Sequence, residues 1–333
     1  MNHNIISTDQ AHKNTSHSGI RVGLSACLAG HEVRYNGGHV QSRLCLNVLN
    51  KYFTFHTFCP EIAAGFSTPR TAMRLTGNPQ SPTLSYSNGS PDDLTAQLTE
   101  GFKDKLKEFE ALDGYILMKN SPSCGLERVK VYQPNGHPHQ VRSSGLFTQK
   151  LKEAYPLMPI EEEGRLHDDR LLDNFLLRVY AHNNFRTEVM QNPSLHALIQ
   201  FHSRYKYTLM SHGQQECRQL GKLLSNESTQ PLTELIQTYF QFFMNTLSIL
   251  ATRKNHTNSL LHILGYLKKH LPPKARQDIA HVVNQYQKGI IPLTTPLTLL
   301  SHYLSQYGSS YINNQRYLKP YPNEIHPISK HCI

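Results

Sequence analysis

The stretch RVGLSACLAG, residues 21–30, joins a short apolar run to a cysteine and a turn. A run of this length that ends in a turn is typical of a buried β-strand. Two later stretches have the same form, KYFTFHTFCPE at residues 51–61 and GYILMKNSPSCG at residues 114–125. Each stretch therefore presents a thiol at the C-terminal end of a predicted strand, and these thiols belong to Cys27, Cys59 and Cys124.

Helical patterns follow these strands in the first half of the chain. Apolar residues recur at helical spacing over residues 94–112, and residues 145–154 form a second helical stretch. Residues 128–132 are a further predicted strand. The alternation of strands and helices predicts an α/β domain with a Rossmann-like parallel sheet. Because the carboxyl ends of such strands line one crevice, we expect the three thiols to meet there.

The second half of the chain has a different pattern. Residues 156–164 contain two prolines and three successive glutamates, which indicates a domain junction. Beyond this segment the apolar spacing predicts an all-α domain, with helices over residues 169–190, 194–210, 232–251, 259–270 and 273–287. We therefore predict a disordered lead-in over residues 1–19, an α/β domain over 20–160 and an all-α domain over 161–333.

Composition limits the classes of partner. The net charge is +10 and the isoelectric point is near 9.2, which favours nucleic acid as a partner, although a soluble protein can be basic without one. No apolar run approaches the ~20 residues of a membrane span, and the polar start lacks the apolar core of a secretory signal. These features predict a cytoplasmic protein with no membrane partner. The oligomeric state is not indicated.

The chemistry of the three thiols favours a metal cluster. Iron–sulfur clusters are normally held by four cysteine thiolates, so three would leave one iron free to bind a soft atom such as sulfur. The three cysteines include no close-spaced pair, which is unlike a structural zinc site. The alternative is a set of separate buried thiols, which are common in proteins. Cys45, Cys217 and Cys332 lie in helical or terminal settings outside this set.

Five short motifs resemble those of the thiouracil desulfidase family. They are SACL at 25–28, VRYNGG at 33–38, CPE at 59–61, TPR at 68–70 and SPSCG at 121–125. The resemblance implies that Cys27, Cys59 and Cys124 hold a 4Fe–4S cluster whose fourth iron takes sulfur from a thiolated pyrimidine. The family usually has Asp where this chain has Asn36. That change affects activity if the carboxylate transfers protons, and is neutral if the side chain only shapes a turn.

The second half resembles the YbgA-type helical domain. The matching strings are EEEGRL at 161–166, FHSRYK at 201–206, MSH at 210–212 and QRYL at 315–318. Proteins with both domains are similar to enzymes that convert 4-thiouridine in tRNA to uridine. The resemblance implies a non-redox reaction in which water is a co-substrate and hydrosulfide is released. The alternatives are a desulfidase for free thiouracil or thiouridine nucleotides, and a non-enzymatic RNA-binding protein with a structural or redox-sensing cluster.

Three polar residues beside the cysteines are candidates for catalysis. Glu61 is the predicted acid/base group, although it can instead cap a following helix. Ser121 and Ser123 are candidates for orienting the pyrimidine, although they can simply build the turn. The predicted substrate-binding residues are Ser25, Arg34, Tyr35, Asn36 and Arg70. Either arginine can alternatively pair with a carboxylate such as that of Glu61.

Cations in the helical half are the candidate RNA contacts. The predicted phosphate-binding residues are Arg204, Lys206, Arg253, Lys254, Lys268 and Lys269. Tyr205 and Tyr207 lie beside the first two and can either stack on exposed bases or pack in the helical core. The alternative for each cation is an ordinary solvated helix face.

Overall fold

A parallel sheet forms the centre of the first half of the chain. The computed structural model describes residues 19–225 and 230–322, with strands at Arg21–Ser25 (β1), Thr54–Phe58 (β2), Met73–Asn78 (β3), Ser81–Tyr86 (β4), Gly114–Leu117 (β5), Val131–Tyr132 (β6) and Ile160–Glu162 (β7). Strands β1, β2, β5 and β7 pair in the order β2-β1-β5-β7, and every pair is parallel. The predicted α/β fold is confirmed.

A smaller sheet with the order β4-β3-β6 was not predicted. Its antiparallel hairpin joins β3 to β4, with Gly77 opposite Pro82. The glycine and prolines of residues 77–82 are typical of a loop, so the sequence pattern did not indicate these two strands. Proline is tolerated here because β4 lies at the edge of the sheet, where one side of the strand needs no partner.

One side of the parallel sheet is covered by an aromatic core. The helices on this side are Pro60–Ala63 (α1), Thr95–Lys103 (α2) and Leu146–Ala154 (α3), and α2 continues as a 3-10 helix over Asp104–Ala111. The rings of Phe102 and Phe109 contact Phe147 at centroid distances of 5.3 and 6.0 Å. Tyr115 lies so close to Gly23 that a Cβ there would be 2.2 Å from its ring. Only glycine therefore fits at this position of β1.

The other side of the sheet is covered by helix α4, Asp169–Phe185. Its apolar residues Leu172, Phe175 and Val179 belong to the same buried cluster as Val22 and Ile116 of the sheet. Helix α4 lies beyond the predicted domain boundary at residues 160 and 161, and this boundary falls within β7. The first helix after the junction is thus part of the core around the sheet, while the domain limits stay a prediction.

The rest of the described chain is helical, as predicted. The helices are Leu195–His212 (α5), Gln214–Ser225 (α6), Leu232–Ser248 (α7), Arg253–Gly265 (α8), Pro273–Gln287 (α9), Thr294–Tyr307 (α10) and Ser310–Asn313 (α11). One buried cluster lies among α5, α6 and α7, and another among α8, α9 and α10. Helix α8 begins earlier than predicted because Thr252 caps it, accepting a hydrogen bond from the Asn255 amide at 3.2 Å.

Helices α6, α10 and α11 were not predicted. Helix α10 carries Pro296 in its first turn, where the missing amide hydrogen is not needed, so the proline does not break the helix. None of the helices within residues 19–225 and 230–322 has the length and apolar content to cross a membrane. The predicted lead-in lies almost wholly outside the described residues.

Candidate active site

The three predicted cysteines lie at one edge of the parallel sheet. Cys27 lies in a 3-10 turn directly after β1, Cys59 immediately precedes α1 after β2, and Cys124 lies in the turn that follows β5. Because β2, β1 and β5 are neighbours and parallel, their carboxyl ends meet at the same edge. All three cysteines line a single cavity of about 460 Å³.

The thiols lie in a low-dielectric setting. Burial, and then repulsion from the Cys59 thiolate, raise the pKa of Cys27 to about 11. Burial also raises the pKa of Cys59 and of Cys124, and both other thiols add to the increase at Cys124. Thiolates in such a place need a positive centre beside them.

The donor set fits a cluster of metals better than a single ion. Across the described ranges, no group of three or more His, Cys, Asp or Glu side chains is arranged to hold one metal ion. The three thiols instead surround a cavity, one from each of three strand ends. An iron–sulfur cluster takes one thiolate on each of several irons, so its ligands are spread around it. The three cysteines are suited to a polynuclear centre of this kind.

A hydrogen-bonded network connects Glu61 to two other segments beside the cavity. Glu61 Oε1 accepts a hydrogen bond from Ser123 Oγ at 2.7 Å, and Oε2 forms an ion pair with Arg70 Nη2. Arg70 also donates to the carbonyl oxygens of Val33, at 3.0 Å, and Ser67, at 2.9 Å. The Glu61 side chain is therefore directed to these partners. The sequence left Arg70 either to bind the substrate or to pair with a carboxylate, and the structure contains its ion pair with Glu61.

The two serines of the Cys124 motif have different positions. Ser121 lines the cavity, and its Oγ accepts hydrogen bonds from the amides of Ser123, at 3.2 Å, and Cys124, at 3.1 Å. Ser121 thus builds the turn, while its hydroxyl hydrogen stays available to a ligand. Ser123 is fully buried and is not among the residues that line the cavity. It lies behind Glu61 and positions that carboxylate.

Three of the predicted substrate residues, Ser25, Arg34 and Tyr35, line the cavity. Buried Ser25 accepts a hydrogen bond from the Met118 amide at 3.0 Å and lines the cavity beside Cys124. Arg34 and Tyr35 line the cavity, and the guanidinium carbon lies 5.9 Å from the centre of the Tyr35 ring. Since Tyr35 is 45% exposed, it is accessible to a large substrate.

Asn36 is placed differently from the other predicted substrate residues. It is exposed, is not among the residues lining the cavity, and accepts a hydrogen bond from the Gly38 amide at 3.2 Å. The intervening Gly37 has a φ of 79°, which explains the glycine at this turn. An Asp side chain can accept the same hydrogen bond. The sequence left two roles open for this position, proton transfer and shaping of the turn. The geometry matches the second role.

Several cavity residues were not predicted. Lys119 and Asn120 lie between the end of β5 and the Cys124 motif, and both line the cavity. Met73, at the start of the unpredicted hairpin, contributes another wall. The position of Lys119 between a strand end and a cysteine motif was a signal that could have identified it. The contribution of Met73 depends on the hairpin, for which the sequence pattern contained no clear sign.

The predicted RNA-binding residues differ in their surroundings. Arg204 pairs with Glu188 at 2.5 Å, and Arg253 donates to the Tyr286 carbonyl at 2.8 Å. Among these predicted cations, Lys254, Lys268 and Lys269 are exposed and form no ion pair with any described residue, while Lys206 lines a separate cavity. Tyr205 and Tyr207 are buried, so both residues pack in the helical core instead of being free to stack on exposed bases.

Two parts of the chain match known proteins separately. Residues 22–163 match the family model described as 2-thiouracil desulfurase, and residues 206–322 match the one described as protein of unknown function (DUF1722). The chain is 32% identical to the uncharacterized protein YbgA of Escherichia coli K12 over 157 residues, 47% of this chain and 93% of YbgA. It is 33% identical to the uncharacterized protein YbbK of Bacillus subtilis 168 over 138 residues, 39% of this chain and 89% of YbbK.

A solved structure is also similar to part of the chain. It is the [4Fe-4S]-dependent thiouracil desulfidase TudS, which is 27% identical, with a TM-score of 0.35, over 44% of this chain and 93% of that protein. The family predicted from the five motifs is confirmed by the family model and the relatives. The chain belongs to the thiouracil desulfidase family, as a fusion of a 2-thiouracil desulfurase domain with a DUF1722 domain.

Proposed function

We propose that this protein removes sulfur from 4-thiouridine in tRNA, using a 4Fe–4S cluster held by Cys27, Cys59 and Cys124. The observation that carries the proposal is the meeting of three thiols from three strand ends at one cavity. The 2-thiouracil desulfurase family match over the same residues supports a thiolated pyrimidine as the substrate. The cavity volume of about 460 Å³ is in the range that small-molecule ligands occupy in proteins.

The reaction balances without a change of oxidation state. Water supplies the oxygen for a new C–O bond, the C–S bond breaks, and the sulfur departs as hydrosulfide with a released proton. When bound, the cluster supplies a Lewis-acidic iron that attracts the thiocarbonyl sulfur. The residues of the chain bind and orient the pyrimidine and move the protons.

Glu61 is the proposed group that moves the proton. Its carboxylate lies on the cavity wall two residues after Cys59 and is held by Ser123 and Arg70. A positioned carboxylate that accepts a proton from attacking water contributes roughly 10²–10⁴-fold to the rate. The Ser121 hydroxyl and the Lys119 ammonium also line the cavity and are available as donors to the oxygen and nitrogen atoms of the ring.

The helical half is proposed to hold the RNA. A base within folded tRNA must leave its stack to reach a cavity, which costs a few kcal/mol. Contacts between cations and phosphates can offset this cost. Lys254, Lys268 and Lys269 are exposed and form no ion pair within the described part of the chain. Together with the net charge of +10, they support tRNA as the substrate, and the resemblance of the fused domains points the same way.

An anaerobic assay tests the proposal. The protein is reconstituted with iron and sulfide and mixed with thiolated tRNA, and the 4-thiouridine absorbance is followed with uridine and hydrosulfide. We expect the absorbance to disappear, Cys124→Ala to be inactive, and Cys45→Ala, which removes a thiol outside the cavity, to stay active. Turnover of free thiouracil but not of tRNA would instead support the free-substrate alternative. A loaded, RNA-binding protein with no turnover would support the non-enzymatic alternative.

A further inference from the structure

A second cavity lies in the helical half and shares no residue with the cysteine cavity. It has a volume of about 560 Å³ and lies among α5, α6, α8 and α11. The α6 residues that line it, at positions 214, 217, 218 and 221, recur at helical spacing, so one face of this helix is directed to the cavity. Cavities of this size commonly accept small molecules.

Two cations without a partner define the charge of this cavity. Lys206 of α5 and Arg218 of α6 both line it, and no Asp or Glu is among its lining residues. Neither cation forms an ion pair with any residue in the described ranges, whereas nearby Arg204 is paired with Glu188. Burial raises the pKa of Cys217, which lines the cavity between these cations, and the charges of Lys206 and Arg218 oppose this effect. The cavity is therefore suited to an anion.

His202 adds a directed hydrogen-bond donor. Its Nδ1 lies 3.1 Å from the hydroxyl of Tyr239, and burial lowers the pKa of His202 to about 4, so the ring is neutral at neutral pH. The fully buried Tyr239 hydroxyl needs an acceptor for its hydrogen, and Nδ1 is the acceptor that lies within reach. The remaining proton of the ring is then on Nε2. This atom faces α6, because a Cβ at Gly221 would be 3.9 Å from it.

Apolar and aromatic groups form the rest of the wall. Ile199 and Met210 of α5 line the cavity beside the cations, and Tyr311 of α11 adds a ring. A wall of this kind accepts a planar heterocycle, while the two cations and the imidazole Nε2–H are suited to phosphate oxygens. A ligand that combines both groups is a nucleotide.

From these contacts we propose that the cavity binds a nucleotide, with its phosphate on Lys206 and Arg218 and its base against Met210 and Tyr311. The chemistry is shared by a free nucleoside monophosphate and by a nucleotide within an RNA chain. The inference goes beyond the desulfidase reaction and does not depend on it, because none of these residues lines the cysteine cavity.

Calorimetry with the reconstituted full-length protein tests the site. The probe is adenosine 5′-monophosphate, because a purine is not the product of the proposed reaction, and inorganic phosphate is titrated separately. We expect the double variant Lys206→Ala/Arg218→Ala to bind the nucleotide at least tenfold more weakly. Gly221→Leu fills the space above His202 without removing charge, and we expect the same loss. Lys222→Ala, which removes an exposed cation of α6 outside the cavity, is expected to bind as the unmodified protein does.

Competition with tRNA separates the two sources. Displacement of the nucleotide by tRNA assigns the site to a nucleotide of an RNA chain, and simultaneous binding assigns it to a free nucleotide. The proposal is overturned if the unmodified protein does not bind the nucleotide, or if Gly221→Leu and the double variant bind it with unchanged affinity. Since the readout is binding, absence of desulfidase turnover with this binding intact would contradict only the proposed reaction.

Discussion

At the scale of single residues, the structure distinguishes groups that face the cysteine cavity from groups that hold them. Glu61 lines the cavity, whereas Ser123 lies behind it and donates a hydrogen bond to its carboxylate. The two residues lie on separate segments, and the network that joins them also includes Arg70. Substitutions at these positions should therefore differ in their effect on turnover.

Glu61→Gln should reduce turnover by about 100-fold, since it removes the proton acceptor while its amide oxygen still accepts a hydrogen bond from Ser123. Ser123→Ala should reduce turnover by about tenfold or less, because one positioning hydrogen bond contributes ~1 kcal/mol. Single-turnover rates with thiolated tRNA measure both effects, and iron content serves as the control for cluster loading. Full activity in a loaded Glu61→Gln protein would contradict the catalytic role of Glu61.

Asn36→Asp should leave turnover unchanged. The side chain is exposed, lies outside the cavity wall and accepts a hydrogen bond from the Gly38 amide, which a carboxylate accepts equally well. Asn36→Ala, which loses this bond, is the matched comparison and should lower stability by about 1 kcal/mol. A large gain in kcat for Asn36→Asp would show instead that the usual carboxylate of the family transfers protons.

At the scale of elements, helix α3 supports the loop that carries Cys124. Gly145 precedes the helix, and its amide donates to the Gly125 carbonyl at 2.8 Å. Thr148 Oγ1 donates to the Cys124 carbonyl at 2.8 Å. A Cβ at Gly145 would lie 2.4 Å from the carbonyl carbon of Ser123, so the loop and the helix approach closely. The position of Cys124 thus depends on this contact.

Gly145→Ala should therefore destabilise the protein by roughly 1–3 kcal/mol and reduce iron loading, because the new methyl group displaces the cysteine loop. Gly265→Ala is the matched control, since no atom lies within 4 Å of the added Cβ, and its stability should be unchanged or slightly higher. Urea unfolding and iron analysis measure the two effects. Unchanged loading in Gly145→Ala would mean that the loop can shift without losing the site.

At the scale of the whole molecule, Asp113 joins the sheet to the helical half. Its carboxylate is 1% exposed and accepts hydrogen bonds from Arg186 at 2.9 Å, from Asn183 at 3.0 Å and from the Arg21 amide at 3.3 Å. His182 Nδ1 lies 3.2 Å from it. The Asp113 carboxylate is buried just before β5, and its partners lie on β1, on α4 and on the residue after α4. Its loss therefore affects the packing of the helical half on the sheet.

Asp113→Asn should destabilise the folded chain by about 3 kcal/mol, because the Arg186 guanidinium loses its buried counter-charge. Glu153→Gln, which removes an exposed pair with Lys150, is the control and should change stability by less than about 1 kcal/mol. Thermal and denaturant unfolding of both proteins measure the difference. Equal stability of the two variants would contradict a joining role for Asp113.

Salt dependence tests the RNA contacts of the whole molecule. If Lys268 and Lys269 contact phosphates, replacing both by Ala should weaken tRNA binding and make the plot of log K against log salt shallower by about 2. Lys103→Ala, an exposed cation already paired with Glu100, is the control and should leave the slope unchanged. An unchanged slope in the double variant would exclude the turn that follows α8 as a phosphate contact.

The features that the sequence patterns predicted are local in origin. Short apolar runs and helical spacing predicted β1, β2, β5 and α3, and the motif at each strand end identified the three cysteines. Parallel strands place their carboxyl ends together, so the strand pattern also predicted that the three cysteines meet at one edge of the sheet. The family of the chain followed from motifs in these same turns. These features depend on a few neighbouring residues, which is why a linear pattern contains them.

Other features of the site and the core depend on contacts between distant segments, so they required the tertiary structure. The partners of Glu61 are Ser123, 62 residues away, and Arg70, held by a loop whose path the sequence pattern does not describe. Burial of Tyr205 and Tyr207 rather than exposure was settled by how α5 packs on its neighbours. The cavity of Lys206 and Arg218 likewise exists only where several helices meet. Pairing and burial depend on which surfaces touch, and helical or strand period specifies only which side of each element is apolar.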